Sequence, residues 1–263
     1  DQFDIPLTEV VGRKIYITDF GKEIARMAES ILQQVANINY QTESYKGLLT
    51  GRLKLSVVST GKYMMPYFLA PFLKRHTHVE LHMDVTNRLG VIDSVLDNRV
   101  DFALVSILPA APVVEKLDIV ENQLFLVGSG ETPARKKPLS KSVLGDLPLI
   151  LREEGSGTRV SMEEFIARNR ISINRRMELT SNEAVKQAVM AGLGYSIMPH
   201  IGIKRELQHG YLRIIPVVGL PIRNTWRLIW PKGKQHSPVA AAFLDFVQQE
   251  KEAINARHFD LRS

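Results

Sequence analysis

The chain has 263 residues with 34 Lys/Arg against 28 Asp/Glu, a formal net charge of +6, 44% apolar residues and no cysteine. That length predicts two globular units or one large bilobal one. The missing cysteines exclude disulfides, thiolate nucleophiles and Cys-ligated zinc, and they fit a reducing cytoplasm.

No apolar run reaches the roughly 18 residues of a membrane span, and residues 1–8 lack the basic and apolar regions of a secretory signal. Residues 1–50 hold five Lys/Arg and seven Asp/Glu, so the basic excess lies in the main body. Neither a clustered basic stripe nor a nucleic-acid-reading motif is visible along the chain, so charge alone gives no argument for DNA binding by these residues.

In chain order, Val11 to Ile17 reads as a short strand entered through a turn at Gly12. Thr18 then occupies an N-cap position. Apolar residues at Ile24, Ala28, Ile31, Val35 and Ile38 follow a 4-3-4-3 spacing, the seam by which two helices supercoil. The helix of about 28 residues, roughly 40 Å at the α-helical rise, ends at Gly47. Its seam fits either dimerisation or packing on its own domain, and the lack of a second apolar face favours dimerisation.

Leu53 to Val58 is a predicted strand and Met64 to Arg75 a helix. Val79 to Val85 alternates, with Val79, Leu81, Met83 and Val85 predicted to face inward. A helix at Val91 to Asp97, a strand at Asp101 to Ile107 and a strand at Leu117 to Val127 follow. This spacing predicts βαβ units and a parallel sheet. A second unit reads as strand Leu149 to Leu151, helix Thr158 to Asn169, strand Arg176 to Leu179 and helix Glu183 to Met190. That last helix is preceded by a capping-box spacing from Thr180 to Glu183. Strand Tyr195 to Met198 and helix Ile203 to Gln208, stopped by Gly210, complete the unit. Thr225 to Trp230 returns the chain to the first unit, which a helix from Val239 to Lys251 closes. The predicted architecture is two α/β lobes, crossed twice by the chain, with a cleft between them.

Ligands of such sheets bind beyond the carboxyl ends of strands. Ser59-Thr60-Gly61, Asn87-Arg88 and Ser106 stand there in the first unit. Leu151-Arg152-Glu153-Glu154-Gly155-Ser156-Gly157-Thr158-Arg159 stands there in the second. Ser156 and Thr158 supply hydroxyls, helix-start amides point outward, and Arg159 has the fork geometry for a carboxylate or phosphate. The alternatives are a plain strand-to-helix turn with Thr158 as cap, helix caps at Ser59 or Thr60, and a surface arginine at Arg88. His76, His78 and His82 straddle a helix–strand junction and read as solvated rather than metal-ligating. No Walker ending, nucleophile elbow or His-Glu-x-x-His is present, so no cofactor and no catalysis are expected.

Pro6-Leu7-Thr8-Glu9-Val10-Val11-Gly12-Arg13-Lys14-Ile15-Tyr16-Ile17-Thr18-Asp19-Phe20-Gly21 resembles the wing and start of the linker helix in LysR-type transcriptional regulators, with Thr8 where that family usually has Phe. The body resembles the family's effector-binding domain along its length. Thr86-Asn87-Arg88, the Arg152 to Arg159 run and Ser181-Asn182-Glu183-Ala184-Val185-Lys186-Gln187-Ala188-Val189-Met190-Ala191-Gly192 are similar to regulators of carbon-fixation operons.

The resemblance implies an α/β fold of two Rossmann-like lobes, like type 2 periplasmic binding proteins, behind a long dimerising helix. It divides the chain into a wing remnant (1–17), a linker and dimerisation helix (18–50), lobe I (51–122 with 230–263) and lobe II (123–229). It places a small anionic metabolite against Ser59, Thr60, Gly61, Asn87, Arg88 and Ser106 on one lobe. Ser156, Thr158 and Arg159 would reach it from the other lobe, with Pro199 and His200 at the rim. It also implies operator DNA bound through reading helices ahead of Asp1, a homodimer or homotetramer, no cofactor and no membrane. Two other readings share the fold. A transporter's solute-binding protein would need a signal or anchor. Prephenate dehydratase uses a Thr-Arg-Phe motif that Thr158-Arg159-Val160 only partly matches.

Overall fold

In a computed structural model, the structure describes residues 4–45, 48–111 and 113–259. It opens with a hairpin of β1 (Thr8–Val11) and β2 (Lys14–Ile17), paired antiparallel. The sequence reading made this one strand. Gly12, with φ of +67°, instead supplies the turn between two. The hairpin is tied to α1 (Asp19–Tyr45) through Thr18, whose Oγ1 donates to Pro6 O at 2.8 Å and accepts from Gly21 N at 3.0 Å. Gly21 must be glycine here, because a Cβ would lie 2.0 Å from Leu7 O. On α1, Ile31, Val35 and Ile38 are each more than half exposed, so the seam is not spent on the helix's own body. The expected stop at Gly47 lies outside the described residues.

The body continues with β3 (Gly51–Val58), a 3-10 turn at Gly61–Tyr63, α2 (Met65–Arg75), β4 (Val79–Thr86), α3 (Arg88–Leu96), β5 (Phe102–Val105) and β6 (Val114–Ser129). Then come α4 (Val143–Asp146), β7 (Pro148–Arg152), α5 (Gly157–Arg168), β8 (Asn174–Leu179), α6 (Asn182–Met190) and β9 (Ser196–Pro199). The chain closes with α7 (Lys204–Gln208), β10 (Leu212–Ile214), β11 (Ile222–Pro231) and α8 (Pro238–His258).

The main sheet has the order β10-β6-β11-β5-β3-β4, with β9 also on β6. β3 pairs in parallel with β4 and β5, the βαβ arrangement expected from spacing. Its other half is antiparallel, because β6 and β11 run alongside each other from Val114 to Leu124 before β6 takes β9 and β10 as partners. Strand periodicity did not reveal this direction, since pairing sense leaves no mark on a single segment. β7 and β8 form a separate parallel pair, joined to Tyr195 by a bridge at Leu149.

The sheet serves two cores. Leu53, Leu55, Phe68, Phe72, Phe102, Leu104, Trp226, Phe243 and Val247 fill the first. Leu124, Leu126, Leu149 and Met162 fill a second, with Ile150, Val185, Val189 and Met198 beside it. β6 contributes Ile119 to the first and Leu124 to the second, so one strand crosses both lobes.

Three local expectations are corrected. On β4 only Val79 is buried, while Leu81 and Val85 are 37% and 40% exposed. The strand ends the sheet order, with no neighbour on its outer edge among the described residues, so alternation there does not imply burial. The cap of α6 is Ser181, whose side chain accepts from Ala184 N, not Thr180. α5 begins at Gly157 with Ser156 as cap residue, one position before the Thr158 start.

The first core depends on α2 packing against α8. Phe72 is fully buried, with ring centroids 5.2 Å from Phe243 and 5.6 Å from Phe246. Phe72→Ala is expected to cost about 3–5 kcal/mol, the range for a large-to-small change in a close-packed core. A urea titration would show this as a lowered midpoint at unchanged slope.

Candidate functional site

Three strand ends of the first lobe converge with one of the second. β3 ends at Val58 and delivers Ser59 and Thr60 into the 3-10 turn. β4 ends at Thr86, after which the Asn87 side chain caps α3 by accepting from Gly90 N at 3.0 Å. Arg88, first residue of α3, folds over the exit of β5 and donates to Ile107 O at 3.1 Å and Leu108 O at 2.9 Å. Ser106 follows β5 directly. From the other lobe, β7 ends at Arg152, and the turn through Gly155, φ +85°, leads into α5.

Between them lies a narrow crevice with a free volume of only about 10 Å³, lined by Val58, Ser59, Thr60, Asn87, Arg88 and Ser106 on one side. Arg152, Ser156, Gly157 and Thr158 line the other. At Gly157 the two walls stand within contact distance: a Cβ there would lie in ordinary van der Waals contact with Ser106 Oγ (3.5 Å) and Arg88 Cδ (3.8 Å).

Arg152 dominates the electrostatics. It is 4% exposed and pairs bidentately with Glu153, at 2.7 Å (Nε–Oε2) and 2.8 Å (Nη2–Oε1). The same Nη2 donates to Ser59 Oγ at 3.0 Å, a hydrogen bond from one lobe to the other. Arg88 has no carboxylate partner among the described residues, and burial pulls its pKa down. Thr60, Ser106 and Ser156 are each more than nine-tenths buried as residues, while their hydroxyl oxygens stay open to the crevice and make no hydrogen bond among the described residues. Ser156 makes no side-chain cap, so the first amides of α5 are left for another acceptor.

The crevice thus presents two guanidinium groups, one already neutralised, together with unused donors. Such a set suits a small anion and offers no nucleophile–base pair.

The other expected residues lie elsewhere. Arg159 is held by Glu163 at 2.8 Å and Glu178 at 2.6 Å, and these partners raise its pKa. Its Nη1 also donates to Arg152 O at 3.1 Å, so it braces the strand end that carries Arg152. Gly61 is buried, and a Cβ there would meet Leu104 at 2.6 Å. Pro199 pairs with Leu124 on β6. His200 lines a separate small cavity of about 30 Å³ with Val120, Ile201, Lys204 and Phe259, and burial with Lys204 holds its pKa down. His76 packs against Phe72 with its ring tilted by 50°, the centroids 4.8 Å apart.

The sequence reading missed Arg152, which had been placed within a loop motif and given no role. Its signal was available: it is the last residue of β7, the topological counterpart of Val58 and Val105 beside the switch point. A second polar contact also joins the lobes, where Tyr63 OH donates to Glu183 Oε2 at 3.4 Å. There Lys186 is held between Glu183 at 3.0 Å and Glu206 at 2.6 Å.

The family profile described as the LysR substrate binding domain matches residues 46–252. A RuBisCO operon transcriptional regulator of Allochromatium vinosum is 35% identical over 258 residues, covering 98% of this chain and 85% of the relative. The HTH-type transcriptional activator CmpR of a Synechocystis species is 34% identical over 252 residues, covering 95% and 83%. Among solved structures, the regulatory domain of Synechocystis PCC6803 CcmR in complex with 2-PG superposes with a TM-score of 0.74 at 30% identity. It covers 81% of this chain and 99% of that one.

No helix among the described residues is long and apolar enough to cross a membrane. The relatives are transcriptional regulators, and neither the solute-binding nor the dehydratase reading is favoured by them. With the fold, the profile and these identities in agreement, the chain belongs to the LysR family of transcriptional regulators. Its two lobes form an effector-binding domain of the carbon-fixation subgroup.

Proposed function

We propose that this chain is the sensing and oligomerisation part of a cytoplasmic, non-enzymatic regulator. In this reading a small phosphorylated carboxylate binds between the lobes, and its binding is transmitted to DNA-reading heads preceding the linker helix. The lobes divide as 51–122 with 230–263, and 123–229, behind a wing remnant (1–17) and a linker helix (18–50).

The observation that carries this reading is that Arg88 and Arg152 line opposite walls of one crevice, among three open hydroxyls that make no hydrogen bond among the described residues. Glu153 cancels one of those charges, so Arg88 leaves the site cationic and favours an anion. The CcmR structure is in complex with 2-PG (2-phosphoglycolate), a ligand with a charged group at each end. In this chain such a ligand places one end on the open amides of α5 with Thr158 and Ser156. The other end reaches Arg88 and Ser106.

A ligand bridging both walls binds one lobe arrangement more tightly than the other, and only that difference moves the equilibrium. The exposed seam of α1 gives the partner helix its surface, and through it the shift reaches the paired heads.

Calorimetry with 2-PG tests the site. A charge-assisted hydrogen bond contributes about 1.5–3 kcal/mol, so Arg88→Ala and Arg152→Ala are each expected to weaken binding about 10- to 100-fold. Arg159→Ala, acting only through the Arg152 carbonyl, is expected to weaken it several-fold less. Unchanged affinity in both Arg88→Ala and Arg152→Ala would remove the crevice as the binding site.

The seam is tested separately by sedimentation. Ile31→Asp with Val35→Asp is expected to shift the oligomer to smaller species while melting of the lobes stays in place. An unshifted distribution would move the dimer contact away from α1.

A further inference from the structure

The net charge of the chain is not spread evenly. Residues 51–122 carry eight Lys/Arg and eight Asp/Glu, whereas residues 123–229 carry 16 and nine. Several of the lobe II cations have local partners: Arg152 with Glu153, Arg159 with Glu163 and Glu178, and Lys186 with Glu183 and Glu206. Arg223 and Arg227 pair with Glu121 and Asp118. Much of the remaining excess gathers at the end of lobe II farthest from the crevice.

The topology brings it there. β7 ends at the crevice where α5 begins, so the C-terminus of α5 returns to the level at which β7 starts. β6 is antiparallel to β9, which is parallel to β7 through the Leu149–Tyr195 bridge. The chain leaving β6 at Ser129 therefore emerges at that same far end, and the loop to α4 crosses it.

Contacts fasten the segments together. Lys141 Nζ donates to Asn169 Oδ1, Leu139 N donates to Pro216 O at 2.8 Å, and a Cβ on Gly145 would meet Ser172 O at 2.7 Å. Arg135, Lys136, Lys137, Lys141, Arg168 and Arg170 consequently share one surface, exposed except for the half-buried Lys141. Arg168 has Glu164 at 3.1 Å. Arg135, Lys136, Lys137 and Arg170 make no ion pair among the described residues.

From 131 to 141 and from 168 to 172 no large apolar side chain is exposed. A protein partner of ordinary kind would bury aromatic or aliphatic anchors there. The exposed Tyr211, whose carbonyl accepts from Gly130 N at 2.8 Å, stands only at the border. Cations without anchors match a regularly charged backbone, whose affinity comes from counterion release and needs no base contact.

We propose that this far end of lobe II binds the phosphate backbone of duplex DNA without regard to sequence. This adds a contact distinct from any made by the reading heads, and it is independent of the effector assignment.

The test is fluorescence anisotropy of a labelled duplex of arbitrary sequence with this chain, across a salt series. Substituting Arg135→Ala, Lys136→Ala and Lys137→Ala together is expected to lower the slope of log K against log salt by about 2–3. That corresponds to about 0.9 per lost phosphate contact. Binding at low salt should weaken at least about 10-fold, with the melting temperature unchanged. Arg168→Ala with Arg170→Ala should lower the slope by about 1–2. The lobe I set Lys62→Ala, Lys74→Ala and Lys116→Ala should leave it in place. A slope unaltered by both lobe II sets overturns the proposal. So does displacement of the duplex by poly-glutamate at equal charge concentration, which would make the partner an acidic protein.

Discussion

A guanidinium buried between two lobes is the constraint on which this molecule turns. Removing a cation from water costs several kcal/mol, and only well-placed counter-charge offsets it. Glu153 supplies that charge within lobe II, while Ser59, across the crevice in lobe I, accepts a further N–H. The position of Arg152 is therefore fixed by its own strand, by the neighbouring carboxylate and by the opposite lobe together. Arg152 thereby ties the placement of one lobe to the other. Arg159, gripping the Arg152 carbonyl and balanced by its own two glutamates, stiffens the strand end from behind.

The rest of the crevice is arranged around that fixed point with little excess. Arg88 spends its donors on two backbone carbonyls, which orient it without cancelling its charge. The hydroxyls of Thr60, Ser106 and Ser156 open onto the crevice and make no hydrogen bond among the described residues. A hydroxyl rotor without a fixed partner turns to suit an acceptor or donor that arrives from outside. The Tyr63–Glu183 contact gives the lobes a second point of attachment, anchored by a lysine between two carboxylates.

Much of this was readable from residues alone, for physical reasons that differ by element. The rule that ligands sit beyond strand ends brought Ser59, Thr60, Asn87, Arg88, Ser106, Ser156 and Thr158 to the crevice, because βαβ units put their loops on one side. Arg152 escaped because the same rule directs attention to loops, while this side chain belongs to the last residue of the strand itself. Arg159 drew attention by standing next to glycines. Its spacing of four to Glu163 was equally visible and indicates a partner on its own helix. Tertiary choices were beyond reach: the outer-edge placement of β4, the antiparallel return of β6 and β11, and the basic surface assembled from segments some thirty residues apart in sequence. No window of sequence contains those relations.

β6 and β11 also determine how the two lobes can move. They pass from one core to the other as a hydrogen-bonded ribbon, with its single register shift between Trp226 and Arg227, where Trp226 enters the first core. Such a ribbon resists stretching and sideways slip but yields to twist, since ladder bonds survive a small rotation about the strand axis. Twist along the ribbon is a motion between the lobes that leaves its ladder intact. A message carried this way is a change of angle, delivered with the two halves never losing their registration.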